Sequence, residues 1–470
     1  MRDPRLALLA LLTACAAPHY APPPAIELPP LGAAAEDLSA WWARFGDARL
    51  SARIARALEH NQDLRAAAAR TAEAAALVRT VDDLLPDANL SARAGRDQTS
   101  DRNAFPRFAG IDRRNSAHRV ALDVTWELDL WGRIRAGNDA ALADLLQTRE
   151  LQHDLRAALA AQTAQAYFRL VALDLQLALT RTTVQNREDA LRIQQQRQRA
   201  GAGSALDVHQ AEADLESVRA ALPALLQAQQ AASRALLLLT GETPAVIAEG
   251  QLERAAALPA PPAIPEGLPS DLLARRPDVR AAEAALAAAS ARVAEAKARW
   301  FPTIRLTGAL GQESEALQNL FTAPATIWSL FGTLTQPLFQ LRELGAQADA
   351  AAARREQAEA GYVRAVQAAF AETYDALDAR AANGDAGAAQ QRRIQALEQA
   401  ERIAAARHDA GAGSFLELLD VRRNLLAART DRIDTAAAEL SATVDVYRAL
   451  GGGWMPEGGA TEAAGDGAGR

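Results

Sequence analysis

The sequence predicts a mainly α protein with a small β part, an internally duplicated chain of two long helical hairpins and four strands. Three observations predict it. The pentapeptide AGAGS stands at Ala200–Ser204 and again at Ala410–Ser414, 210 positions on, each time breaking a long Ala/Leu/Gln/Arg-rich stretch. Hydrophobic residues make up 49% of the 470 residues and aromatics only 5%, so alanine, the strongest helix former, carries much of the apolar share. Four short segments alternate apolar and polar residues, the period of a half-buried strand.

The amino terminus comes first. Arg2 and Arg5 precede the apolar run Leu6–Leu12, which leads into LTAC at Leu12–Cys15. A basic start, a short hydrophobic segment and small residues predict a secretory signal over 1–14. The tetrapeptide resembles the lipobox of bacterial lipoproteins, which implies cleavage before Cys15 and a covalent lipid on it. Ala16 is not the Asp that retains lipoproteins in the inner membrane. Residues 15–40, rich in proline, read as an extended lipidated tether. Cys15 is the only cysteine, so no disulfide framework is possible.

The duplication extends beyond the pentapeptide. At offset 210, Gly201, Gly203, Ser204, Leu206, Asp207, Leu215 and Gly241 align with Gly411, Gly413, Ser414, Leu416, Glu417, Leu425 and Gly451. AQAYFRL at Ala164–Leu170 matches AETYDAL at Ala371–Leu377, and LPDANLSARAG at Leu85–Gly95 matches FPTIRLTGALG at Phe301–Gly311. The first repeat, 41–257, is expected to hold a helix, strands near 86–95 and 117–131, a long helix near 133–200, a tip turn at 200–204 and a helix near 205–240. A Pro-rich joint at 258–270 forbids helix continuation. The second repeat, 271–451, follows the same order: a helix near 271–299, strands near 302–312 and 325–339, a long helix near 341–410, a tip turn at 410–414 and a helix near 415–450. The Gly-rich end, 452–470, reads as a disordered tail.

In the first long helix one stripe runs Leu151, Leu155, Leu159, Gln162, Ala166, Leu170, Leu173, Leu177, Thr180 and Val184. Its period of about 3.67 lies close to that of a straight helix, so such helices can stand side by side like staves. Each glycine of the tip turns is expected to permit positive φ, and Ser204 and Ser414 to cap the helices that follow.

The strands suggest where the chain sits. Val120, Leu122, Val124, Trp126, Leu128 and Leu130 alternate with Arg119, Ala121, Asp123, Thr125, Glu127 and Asp129. The pattern recurs at Leu90, Ala92 and Ala94, at Ile304, Leu306 and Leu310, and at Trp328, Leu330 and Leu334. No apolar run reaches the ~18 residues of a spanning helix, so a membrane crossing would need a β-barrel. An apolar outside and a wet inside fit one. Four strands cannot close a conducting barrel, so several chains must pool theirs; three chains would give twelve strands.

TWELDLWGRIRA at Thr125–Ala136 and LPSDLLARRPDVRAAEAALAAASARVAEAKARWFPTIRLTGALG at Leu268–Gly311 resemble the TolC-like outer-membrane factors, in the lipoprotein subclass that serves RND-type tripartite drug efflux pumps. The resemblance covers nearly the whole mature chain. It implies a homotrimer with a twelve-stranded transmembrane β-barrel continued by a long periplasmic α-barrel. It also implies a passive exit duct working with a periplasmic adaptor and an inner-membrane transporter. The tip turns would meet the adaptor through Gly201, Gly203, Ser204, Gly411, Gly413 and Ser414. The segment SFLELLDVRR would close the periplasmic aperture, with Leu416 as an apolar plug, Glu417 and Asp420 as a carboxylate ring and Arg423 as its partner. Gln210 stands in the first copy where Asp420 stands in the second, so the gate is assigned to the second hairpin.

No enzyme is expected, and no cofactor besides the lipid on Cys15. The six histidines, His19, His60, His118, His153, His209 and His408, include no i, i+4 pair suited to zinc, and GAGS lacks the spacing of a phosphate loop. A net charge of −7 argues against nucleic acid. The rival reading is a lipid-anchored coiled-coil scaffold or adaptor without a pore, which would not need four alternating strands. The cargo, the adaptor and the pump are not written in the sequence.

Overall fold

The computed structural model describes residues 38–81, 84–98, 100, 114–264 and 275–453. The signal, Cys15, most of the tether, residues 101–113 of the external loop, 265–274 of the joint and the tail from 454 lie outside the described residues. A short 3-10 helix at Trp41–Phe45 is followed by α1 (Ala48–His60), α2 (Gln62–Val81), β1 (Asp87–Gln98), β2 (Arg114–Leu128), α3 (Arg133–Arg199), α4 (Ala205–Leu239), α5 (Pro244–Glu249) and α6 (Pro277–Ala298). Then come β3 (Thr303–Ser314), β4 (Thr326–Thr335), α7 (Leu341–Asp409) and α8 (Phe415–Ala449). The chain divides into two compact units.

One unit, residues 71–148 and 282–362 among those described, carries a single antiparallel sheet in the order β1-β2-β3-β4. The register puts Leu90, Leu122, Leu310 and Trp328 in one row across all four strands, each of them exposed. Ala88, Val124, Gly308 and Leu330 form the next row on that face. The opposite face is polar, with rows Asn89–Asp123–Ala309–Ser329 and Glu127–Arg305–Thr333. There Asp123 accepts from Ser91 Oγ at 2.5 Å and pairs with Arg119 at 3.0 Å, while Glu127 lies 3.6 Å from Arg305. Phe331 also stands on this face, and nothing in the structure explains it. Neither β1 nor β4 has a strand on its outer edge among the described residues.

The second strand stops at Leu128, short of the expected 131. Asp129 is the reason. Its carboxylate accepts the backbone N–H groups of Ile134 and Arg135, both at 3.0 Å, and so caps the start of α3. Trp131 donates its indole N–H to the Pro302 carbonyl and stacks on Phe301 at 5.0 Å, which fixes the strand-to-helix corner.

The other unit, residues 38–70, 149–281 and 363–453 among those described, holds the main core. The opening helix of the first repeat is broken into pieces. Asp47 caps α1 through Arg49 N at 2.8 Å, and Asn61 separates α1 from α2 by accepting from Asp63 N and donating to the Leu239 carbonyl. Trp41 stacks on Tyr447 at 5.6 Å and packs with Phe45, Phe168, Leu236, Leu440 and Val444. Tyr167 donates to Asp47 at 2.6 Å and accepts from Ala255 N at 3.0 Å; burial and the Asp47 bond push its phenol up to about 12. The first part of the joint is thereby pinned, since Ala263 O also accepts from Tyr447 and Pro262 O from Arg380.

Candidate functional site

The two tip turns have one geometry. At the first, Ala202 N bonds Arg197 O at 2.8 Å and Gly201 N bonds Gln198 O at 3.0 Å; at the second, Ala412 N bonds Arg407 O at 2.8 Å and Gly411 N bonds His408 O at 3.0 Å. This is the crossed pair of a Schellman cap. Only one glycine of each pair takes positive φ, contrary to the expectation for all four. Gly201 has φ +75° and Gly411 φ +70°. Gly203 and Gly413 fit a close approach instead: a Cβ on Gly203 would lie 3.1 Å from Arg197 Cβ, and one on Gly413 would lie 3.1 Å from Arg407 Cβ, tighter than an ordinary contact. Ser204 accepts from Leu206 N and Ser414 from Glu417 N, each at 3.1 Å. Both serines therefore cap the returning helices.

Beyond the turns the copies diverge. Leu416, Glu417, Asp420 and Arg423 are all exposed along α8. Glu417 pairs with Arg407 at 3.1 Å inside its own hairpin, and Asp420 accepts from Asn424 at 3.2 Å. Arg423 does not pair with either of these carboxylates within the chain. Its Nε donates to Asp214 of α4 at 2.7 Å.

Asp214 and Arg187 are the residues the sequence reading missed. Asp214 is 1% exposed and Arg187 6%. Arg187 Nε of α3 lies 2.8 Å from Asp214 Oδ2, though its N–H does not point at that oxygen, so the contact is an ion pair rather than an aligned hydrogen bond. Burial holds the Arg187 guanidinium below its ordinary range, and the Asp214 charge opposes that shift. A buried carboxylate thus binds one arginine from its own hairpin and one from the other. The sequence did carry a signal. Asp214 falls within the apolar stripe Ala211, Leu215 and Val218, where a charge is costly unless paired.

Nearer the turns, Arg197 of α3 reaches α7 twice. Its Nη1 lies 2.9 Å from His408 Nε2 and its Nη2 donates to Asp409 at 3.0 Å. Arg422 of α8 pairs with Glu401 of α7 at 2.9 Å. Phe415, Leu418 and Leu419 bury against Ala211 and Ala404 beneath these pairs. Among the described residues no group of His, Cys, Asp and Glu could hold a metal ion. The arrangement is a charge-paired junction between the two hairpins.

A family model described as outer membrane efflux protein matches residues 53–242 and 268–452. Outer membrane protein OprJ of Pseudomonas aeruginosa is 34% identical over 97% of this chain and 97% of its own length. The toluene efflux pump outer membrane protein TtgF of Pseudomonas putida is 34% identical over 88% of this chain and 85% of its own. Among solved structures, that of the outer-membrane channel OprN superposes with a TM-score of 0.81 at 30% identity, covering 89% of this chain and 94% of that one.

Proposed function

The chain belongs to the outer membrane efflux protein family, and from that membership we propose how its own residues build, anchor and gate an outer-membrane exit duct. The protein is the outer-membrane channel of a tripartite efflux system, working with a periplasmic adaptor and an inner-membrane pump. The poreless scaffold is set aside on the same grounds. In our reading the duct is passive and makes or breaks no covalent bond, and three chains supply its twelve strands. The apolar row Leu90–Leu122–Leu310–Trp328 turns to lipid, and the Asp123 and Glu127 face turns to water. That sheet, two-faced and without a neighbour at either edge among the described residues, is the observation that carries the reading.

Cys15 takes the lipid that anchors the mature chain, and the turns at Gly201, Gly203, Ser204, Gly411, Gly413 and Ser414 meet the adaptor. Leu416, Glu417, Asp420 and Arg423 line the aperture, and the Arg423–Asp214 bond holds the second hairpin to the first in the closed state. Purified, processed protein in a planar bilayer should give stepwise conductance at the mass of a trimer. A monomer that never raises ion flux overturns the duct; material without mass added at Cys15 overturns the anchor. Asp214→Asn, which removes the charge but keeps the shape, should raise the leak through the closed aperture, and unchanged leak removes the gating role.

A further inference from the structure

We propose that His408 makes the joint between the two hairpins sensitive to acid. The proposal rests on the gate reading above and adds its regulation. His408 lies in the last turn of α7, and two groups from α3 converge on its Nε2: Arg197 Nη1 at 2.9 Å and Gln194 Nε2 at 3.2 Å. A guanidinium can only donate, so the ring nitrogen facing it must accept. The ring is therefore neutral in this arrangement, with its proton assigned by the network to Nδ1. A proton on Nε2 removes the lone pair that Arg197 uses and sets a second cation 2.9 Å from the guanidinium.

The surrounding charges do not cancel that change. From α3, Arg187, Asp189 and Arg197 face the cavity beside His408; from α7, Glu401 and Asp409; from α8, Arg422 and Arg429, with the Phe415 ring 5.3 Å from the imidazole. Asp409 is already held by Arg197 at 3.0 Å and Glu401 by Arg422 at 2.9 Å. Asp189 pairs with Arg192, so all three carboxylates are engaged by arginines when the imidazole is neutral. The cavity, about 440 Å³, gives water a route to the ring. Histidine is the side chain whose ordinary charge change falls between pH 5 and 8. A proton taken up at Nε2 therefore breaks the cross-hairpin bond, so the bond is lost in the acid direction. Gln198 fills the matching position of the first copy and cannot titrate, so the first tip lacks this device.

Leak conductance in planar bilayers at about pH 7.5 and about pH 5.5 tests this. The unaltered protein should leak more in acid by about 10-fold, the factor carried by one charge-assisted hydrogen bond. His408→Gln keeps an acceptor and loses the proton site; its leak should stay low and equal at both values. An acid response retained in His408→Gln overturns the proposal. Asp214→Asn in the same assay separates the two readings: if it raises the leak while His408→Gln still responds to acid, only the role of His408 is lost. Spin labels replacing Ala200 and Ala410 give a second measure on otherwise unaltered protein. Their separation should widen in acid, and an unchanged separation overturns the switch even if His408→Gln fails to assemble.

Discussion

The first and second tips share a turn and little else. Arg197 and Arg407 occupy matching positions, yet Arg197 crosses to His408 and Asp409 while Arg407 stays at home with Glu417 and the Ala412 carbonyl. Asp214 is buried and doubly paired; its counterpart Asn424 is exposed and donates to Asp420. Arg423, the second partner of Asp214, is replaced by Ala213 at the matching place in the first copy. Each half of the latch therefore exists in one copy only. The two turns are identical, while the helices flanking them are complementary rather than equal.

The contrast breaks hardest at the buried acid. Asp214→Ala leaves Arg187 buried without a counter-charge and should cost about 3–5 kcal/mol in chemical denaturation, whereas Asn424→Ala should cost under about 1 kcal/mol. Equal losses would mean that the two positions are not distinguished by pairing. The turns should behave alike: Gly201→Ala and Gly411→Ala force a Cβ into left-handed backbone and should each cost about 1–2 kcal/mol. A large difference between them, read from melting curves, would show that one tip is held by more than its own chain. Ser204→Ala and Ser414→Ala should each lose about 1 kcal/mol, the worth of a helix cap. Smallest is Arg407→Gln, whose pair is largely exposed and worth at most about 1 kcal/mol, while Arg197→Gln also loses the half-buried His408 bond and should cost about 1.5 kcal/mol. They differ in kind, though: only Arg197→Gln should widen the measured distance between the hairpins.

The sequence made the periodic parts legible and left the cross-chain parts dark. The stripe from Leu151 to Val184 and the alternation at Val120–Leu128 have periods that follow from helix and strand geometry, so fold class could be read locally. Strand ends were harder, because Asp129 could continue the alternation or cap α3, and only the backbone N–H groups of Ile134 and Arg135 decide it. At the tips, the capping roles of Ser204 and Ser414 were local and readable. The need for Gly203 and Gly413 was misassigned to φ, since contact with the preceding helix is a matter of space. The within-chain bond of Arg423 to Asp214 was not legible. Asp214 lies 209 residues away, and no spacing rule joins two hairpins at that distance.

The sheet's bare edges carry one more consequence. Its strands alternate in direction and are even in number, so β4 of one copy can meet β1 of the next without breaking the up-down order. A solitary copy in hydrocarbon would leave two ribbons of backbone N–H and C=O groups with no water to satisfy them, each costing several kcal/mol. Insertion of this sheet and association with its neighbours are then coupled, because only the partner strands satisfy those edges.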